Sequence, residues 1–324
     1  MAKAAARRVK QVTRETYIQG FSALFPIPSP LVATTTMKVS ERQRARIRHQ
    51  LRELGRTIWK STRGTFPVTH FVALIVTNYP TPSLIAETVK PLIDAGTDTR
   101  LWPDDDAYHR KSTVYTFVDD PNMSGTWVRI IILPVPAHFQ IMVGLSRLAQ
   151  RLTGQDGYTI SFALPPHLWV TSNLTDADIL ARQKGQRLAS AKAWGKPGNY
   201  GAREKILTRL AGQAQQLWAN RPSLPNTLVL AGVAYAPGVK KTQADPDNSA
   251  ETVTTLLRAG NITPRLLAYY RYPVDEQKPG YHHIHLTVLP IPDTFNIFYA
   301  LLACTQYAWQ EQETTCGNEN ISKH

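Results

Sequence analysis

The chain has 324 residues, 43% of them hydrophobic, which is enough for two ordinary cores. Lysine and arginine outnumber the acids 37 to 24, giving a net charge of +13 and pI near 9.8, so a polyanionic partner, above all nucleic acid, is expected. The two cysteines, Cys304 and Cys316, form no Cys-x-x-Cys pair, which argues against a zinc site or disulfide framework. Met1–Lys10 lacks an apolar signal core, and prolines 134 and 136 interrupt the most apolar stretch. A cytoplasmic protein without membrane segments is therefore expected.

In chain order, residues 1–20 read as a basic arm, and Phe21 to Thr36 as a proline-punctuated edge strand. Ser40-Glu-Arg-Gln43 fits a capping box. Ile47, Leu51, Leu54 and Ile58 then mark one face of a helix. Arginines 42, 44, 46, 48, 52 and 56 with Lys60 crowd its other faces, either to track phosphates or as a solvated surface. His70–Asn78 is strand-rich and 84–95 helical. Thr113–Val118 and Thr126–Leu133 read as a strand pair joined at Pro121–Gly125, followed by a helix over 137–152.

From Tyr158 the same order recurs: a strand, a helix over 203–219, a strand over 227–236, a short helix after Asn248, strands at 265–272 and 282–289, and a helix from Thr294 to about Gln310. An inserted segment, 172–201, carries Arg182, Lys184, Arg187, Lys192, Trp194 and Tyr200, a mixture suited to stacking on bases or to an anchored loop. His283 and His285 share a strand face, where a metal pair is conceivable beside a plain basic or aromatic face.

The recurrence extends to residues. Thr81-Pro-Ser-Leu-Ile-Ala-Glu-Thr-Val-Lys-Pro-Leu-Ile-Asp-Ala-Gly96 matches Asp245-Pro-Asp-Asn-Ser-Ala-Glu-Thr-Val-Thr-Thr-Leu-Leu-Arg-Ala-Gly260. Phe25–Pro28 answers Phe162–Pro165, the helix with Trp59 answers that with Trp218, Val72–Val76 answers Leu230–Ala234, and Leu133–Pro136 answers Leu289–Pro292. The spacing predicts two tandem copies of one α+β domain, at 21–155 and 156–311, with a polar, mobile tail over 312–324. An eight-residue deletion is expected in copy two after Gly260.

The acidic residues are split between the copies. Asp245 and Asp247 can face one way on extended chain, Asn248 can cap the next helix, and Lys240 and Lys241 can hold a phosphate. Copy one has Thr81 and Ser83 instead, but continues to Leu101-Trp-Pro-Asp-Asp-Asp106, which copy two lacks. Hard carboxylate oxygens of this kind suit magnesium and phosphodiester chemistry.

Asp-Pro-Asp-Asn, a helix with Thr-Val-Lys-Pro-Leu-Ile-Asp, and Trp-Pro-Asp-Asp-Asp together resemble the RusA family of Holliday junction endonucleases, in its phage and actinobacterial forms. The resemblance implies homodimers that cleave four-way DNA junctions with magnesium, hence an internal pseudo-dimer here. It implies catalytic roles for Asp245, Asp247 and Asp104–Asp106, metal ligation by Asp245, Asp247 and Asp105, and a lysine matching Lys90, with Thr254 at that place in copy two. DNA contacts are expected from Arg44, Arg48, Lys90, Lys240 and Lys241. Three readings follow: a RusA-like protein binding branched or duplex DNA in recombination or repair with nuclease activity reduced or lost; an active Mg2+-dependent junction endonuclease with one composite site; or a protein-binding scaffold. In the family each subunit is expected to build its own site, so the split predicts weakened metal binding.

Overall fold

A computed structural model describes residues 20–34, 37, 39–62, 68–165, 169–170, 202–222, 224, 226–236, 245–272 and 280–319. The basic arm, the 172–201 insertion, Lys240 and Lys241 lie outside the described residues. The architecture is mixed α+β. The first half holds β1 (Phe21–Ile27), α1 (Glu41–Ser61), β2 (Phe71–Thr77), α2 (Ala86–Asp98), β3 (Arg110–Phe117), β4 (Thr126–Pro134) and α3 (Ile141–Thr153). The second holds β5 (Tyr158–Leu164), α4 (Ala202–Trp218), β6 (Thr227–Ala234), α5 (Ala250–Ala259), β7 (Leu266–Arg271), β8 (His282–Pro290) and α6 (Ile297–Glu319).

All eight strands form one sheet, in the order β1-β4-β2-β3-β7-β6-β8-β5. Each half has the same order read outward from the centre, with β2–β3 and β6–β7 parallel and the other pairs antiparallel. The halves meet at β3 and β7. There Ser112 pairs with Tyr270, Val114 with Ala268, and Thr116 with Leu266. The matched ladders make Ser112 the counterpart of Leu266 and Thr116 that of Tyr270, so a pseudo-twofold axis passes through the Val114–Ala268 pair.

The central strands are buried on both faces, which explains their unbroken apolar runs. Phe71, Ala73 and Ile75 join one core with α1, α2, α4 and α5; Val72 and Leu74 join another with α3 and α6. Both cores draw on both halves, so the copies do not form separate cores. Local signals place the helices. Ser40 Oγ accepts from the Gln43 amide at 3.2 Å, and Ile47 and Leu51 are buried with Leu54 and Ile58 packed beside them.

Several expectations need correction. β3 and β4 are not a hairpin, because β2 lies between them. The ladders align Val72 with Leu228, two residues from the expected match; a two-residue slip preserves the strand face and so is invisible to the hydrophobic pattern. Sixteen positions separate Gly96 from Ser112 but only six separate Gly260 from Leu266, so copy two is ten residues shorter there, not eight. Much of the segment expected to be a mobile tail is helix, since α6 runs to Glu319.

Candidate functional site at the seam between the halves

The two acidic motifs meet where the halves meet. Asp245 ends the stretch after β6, and the 3-10 turn Pro246–Ser249 leads into α5. Tyr235 Oη donates to the Asp245 carbonyl at 2.7 Å, and the Asn248 amide donates to the same carbonyl at 3.0 Å, fixing the turn. Asp245, Asp247 and Asn248 are all buried.

Their partners come from the first half. Lys90, on α2, donates from Nζ to Asp245 Oδ2 at 2.6 Å and to Asn248 Oδ1 at 2.9 Å. Asn248 is therefore not a helix cap as expected; Ser249 is the N-cap and makes no side-chain capping bond. Arg110, the first residue of β3, is 3% exposed and grips Asp247 with both ends of its guanidinium, Nη1 to Oδ2 at 2.8 Å and Nη2 to Oδ1 at 3.2 Å. Its Nη2 also lies 3.9 Å from Asp245 Oδ2 and 3.8 Å from Asp105 Oδ2, and its Nε donates to the Asp105 carbonyl at 3.1 Å.

Only the middle aspartate of the Asp104–Asp106 run joins this cluster. Asp104 Oδ1 accepts from the Asp105 amide, and Asp106 Oδ1 accepts from the amides of Tyr108 and His109 and contacts the His109 ring at 2.8 Å. Among the described residues, Asp104, Asp106 and His109 are the group spaced closely enough to share a metal ion; Asp105, Asp245 and Asp247 are not such a group. His283 and His285 belong to no such group of three; their rings stack at 6.2 Å, and His285 Nδ1 meets Ser161 Oγ at 2.7 Å.

The electrostatics follow from burial and these pairings. Burial raises the Asp94 carboxyl first, repulsion from Asp105 adds to it, and its pKa is pushed up to about 7. Burial also raises Asp105, but Arg110, a hydrogen bond with Asp94 and Lys90 outweigh it, leaving Asp105 below its ordinary value. Burial keeps Asp245 above its ordinary value despite Lys90 and Arg110. Burial opposes charge on Lys90, yet Asp247 and Asp245 win and raise it. Two cations thus face three carboxylates, with Asp94 protonated below about pH 7.

The magnesium expected from the resemblance does not fit these residues as they stand. Asp247 spends both oxygens on Arg110, Asp245 is bonded to Lys90, and the guanidinium fills the space that the three carboxylates share. Magnesium needs oxygens at about 2.0–2.1 Å in octahedral array, which a guanidinium within 4 Å of each carboxylate precludes.

The pseudo-twofold mate of this cluster carries none of its carboxylates. Thr81, Ser83 and Leu84 stand for Asp245, Asp247 and Asn248; Thr254 and Arg258 stand for Lys90 and Asp94, all at an offset of 164 residues. The β2–β3 ladder skips one residue between Phe71 and Val72, so Arg265, beside Thr227, stands for Arg110; its guanidinium donates to the carbonyls of Asp293 at 2.8 Å and Phe295 at 3.5 Å.

A cleft of about 310 Å³ opens onto the cluster, bordered by Arg48, Arg52, Lys90, Asp94, Asp247 and Asn248. Its α1 wall is less free than the sequence implies. Arg48 donates to Glu87 at 2.7 Å, Arg52 grips Asp98 at 2.6 Å through two bonds, and Arg56 joins Asp98 at 2.8 Å. Arg44 donates to the Met37 carbonyl at 3.2 Å. Arg42, Arg46 and Lys60 are exposed.

Sequence reasoning selected Asp245, Asp247, Asp105 and Lys90, which converge, and missed Asp94 and Arg110. Asp94 lies four residues after Lys90 on one helix, a spacing that signals a shared face. No family model, curated protein or solved structure matches the chain. Among the described residues no helix is long and apolar enough to cross a membrane.

Proposed function

We propose that the protein is a tandem RusA-like DNA-binding protein, an internal pseudo-dimer that recognises branched or duplex DNA in recombination or repair, with its nuclease activity lost or greatly reduced. The observation that carries this reading is the seam cluster. The two acidic motifs meet in one cluster at the seam between the halves, yet a buried arginine and Lys90 already pair with their carboxylates. The net charge of +13 and the exposed Arg42, Arg46 and Lys60 on α1 supply the phosphate-binding surface. The test is binding of a synthetic four-way junction against linear duplex of the same length, with and without magnesium. Selective binding without cleavage is expected; absence of binding to either DNA would refute the reading.

A second reading, a working magnesium-dependent endonuclease, is favoured by one observation: Asp105 and Asp245 each lie within 4 Å of the same guanidinium nitrogen, so one composite centre is geometrically close. It requires Arg110 to swing away when metal and DNA bind. Junction cleavage that is lost in Asp245→Asn would establish it.

A further inference from the structure

We infer that Arg110 stands in for a divalent cation, as the permanent counter-ion of Asp105, Asp245 and Asp247, and that removing its charge turns the seam into a divalent-cation site. This rests on the reading of the seam as a former nuclease centre.

Three observations carry it. First, the guanidinium gathers three carboxylates from two distant segments, as an ion would: Asp105 from the stretch before β3, and Asp245 and Asp247 from the turn before α5. Its remaining hydrogen bonds go to the Asp105 carbonyl and to Thr113 Oγ1 at 3.3 Å, so it is held firmly in place. Second, a guanidinium cannot lose its proton in a protein, so its charge is fixed. A buried carboxylate cluster without a cation would be costly, and this one has its cation built in. Third, the mate side shows what the carboxylates do. There Thr81 and Ser83 replace the aspartates, and Arg265, at the ladder position of Arg110, donates to the carbonyls of Asp293 and Phe295 instead. An arginine at this strand end is drawn inward only where the carboxylates gather.

The test uses the full chain with Mn2+ as the probe, read by electron paramagnetic resonance and by thermal melting. The wild type is expected to melt at the same temperature in EDTA, Mg2+ and Mn2+. It is also expected to bind no Mn2+ beyond what Asp247→Asn binds, which accounts for any ion at Asp104, Asp106 and His109. Arg110→Gln should melt lower in EDTA, gain one bound Mn2+, and recover on the order of 5 °C with saturating ion. The added ion should vanish in Arg110→Gln/Asp247→Asn. Arg110→Lys, which keeps a charge, should remain insensitive to metal. Asp247-dependent Mn2+ binding by the wild type would overturn the inference. So would an Arg110→Gln variant that gains no ion, or that stays unfolded even with Mn2+ present. Junction binding in EDTA is measured separately, so loss of DNA binding would end the functional reading while leaving the role of Arg110 intact.

Discussion

Arg110 and Asp247 lie 137 positions apart in the chain, yet both ends of the guanidinium meet both oxygens of the carboxylate, at 2.8 and 3.2 Å, with each side chain 2% exposed. The pair ties the first half to the second beside the pseudo-twofold axis. Breaking a buried pair leaves an uncompensated charge, so Arg110→Ala should cost about 3–5 kcal/mol. Replacing both partners with apolar residues of similar volume should cost much less. Urea melts of the two singles and the double are the check; additive losses would show that the contact carries no coupling.

Asp94 makes stability depend on pH. Its folded pKa is about 7 against an ordinary 3.8, so between those values the folded chain holds a proton that the unfolded chain releases. The contribution is fully present below pH 3.8 and is lost as pH rises through 7. The melting temperature of the wild type should therefore fall from pH 5 to pH 8 relative to Asp94→Asn, which has no proton to lose. Parallel curves for the two proteins would contradict the assignment.

The two halves predict matched mutational costs. Trp59 Nε1 donates to the Leu92 carbonyl at 2.7 Å, and Trp218 Nε1 donates to the Leu256 carbonyl at 2.8 Å. Each ring also packs in the core that faces α1 and α4. Trp59→Phe and Trp218→Phe should each cost about 1–3 kcal/mol for the orphaned carbonyl plus lost ring contact. Chemical melts that show one substitution neutral and the other severe would mean that the equivalence is only topological.

DNA affinity should be electrostatic and should reside in the arginines that have no ion-pair role in the fold. Arg48, Arg52 and Arg56 hold Glu87 and Asp98, whereas Arg42 and Arg46 are exposed. Arg42→Ala and Arg46→Ala should each lower the salt slope of binding by about 1 without changing stability. Arg52→Ala should lower stability instead, because it releases Asp98, whose pKa is held down to about 2 chiefly by its hydrogen bond to Arg52. Titrations across a range of salt concentrations, paired with melts, separate the two effects.

Much of this was legible in the sequence. The repeated Ala-Glu-Thr-Val and Ala-Gly stretches mark α2 and α5, and Ser40 with Gln43 marks the start of α1. The split of the acidic residues between the halves is also plain in the sequence, and the two motifs meet around Arg110. What the sequence hid was long-range. Two adjacent strands read as a hairpin until β2 is seen between them, because strand-pairing order leaves no local trace. Arg110 sits between His109 and Lys111 and looks like part of a basic surface. Only carboxylates arriving from Asp245 and Asp247 make it a buried cation. Asp104 to Asp106 likewise read as one acidic group, although Asp106 is held by the turn at His109 and Asp104 by the Asp105 amide, which leaves Asp105 to the seam.

The most direct test of the central claim is incubation of the wild-type chain with a labelled four-way junction in Mg2+ and in Mn2+, scoring binding and strand cleavage in the same samples. The account predicts a salt-sensitive complex that prefers the junction to linear duplex, with no cleavage in either metal. Symmetric or single-strand cleavage by the wild type, abolished by Asp245→Asn, would contradict it and make the seam a working active site.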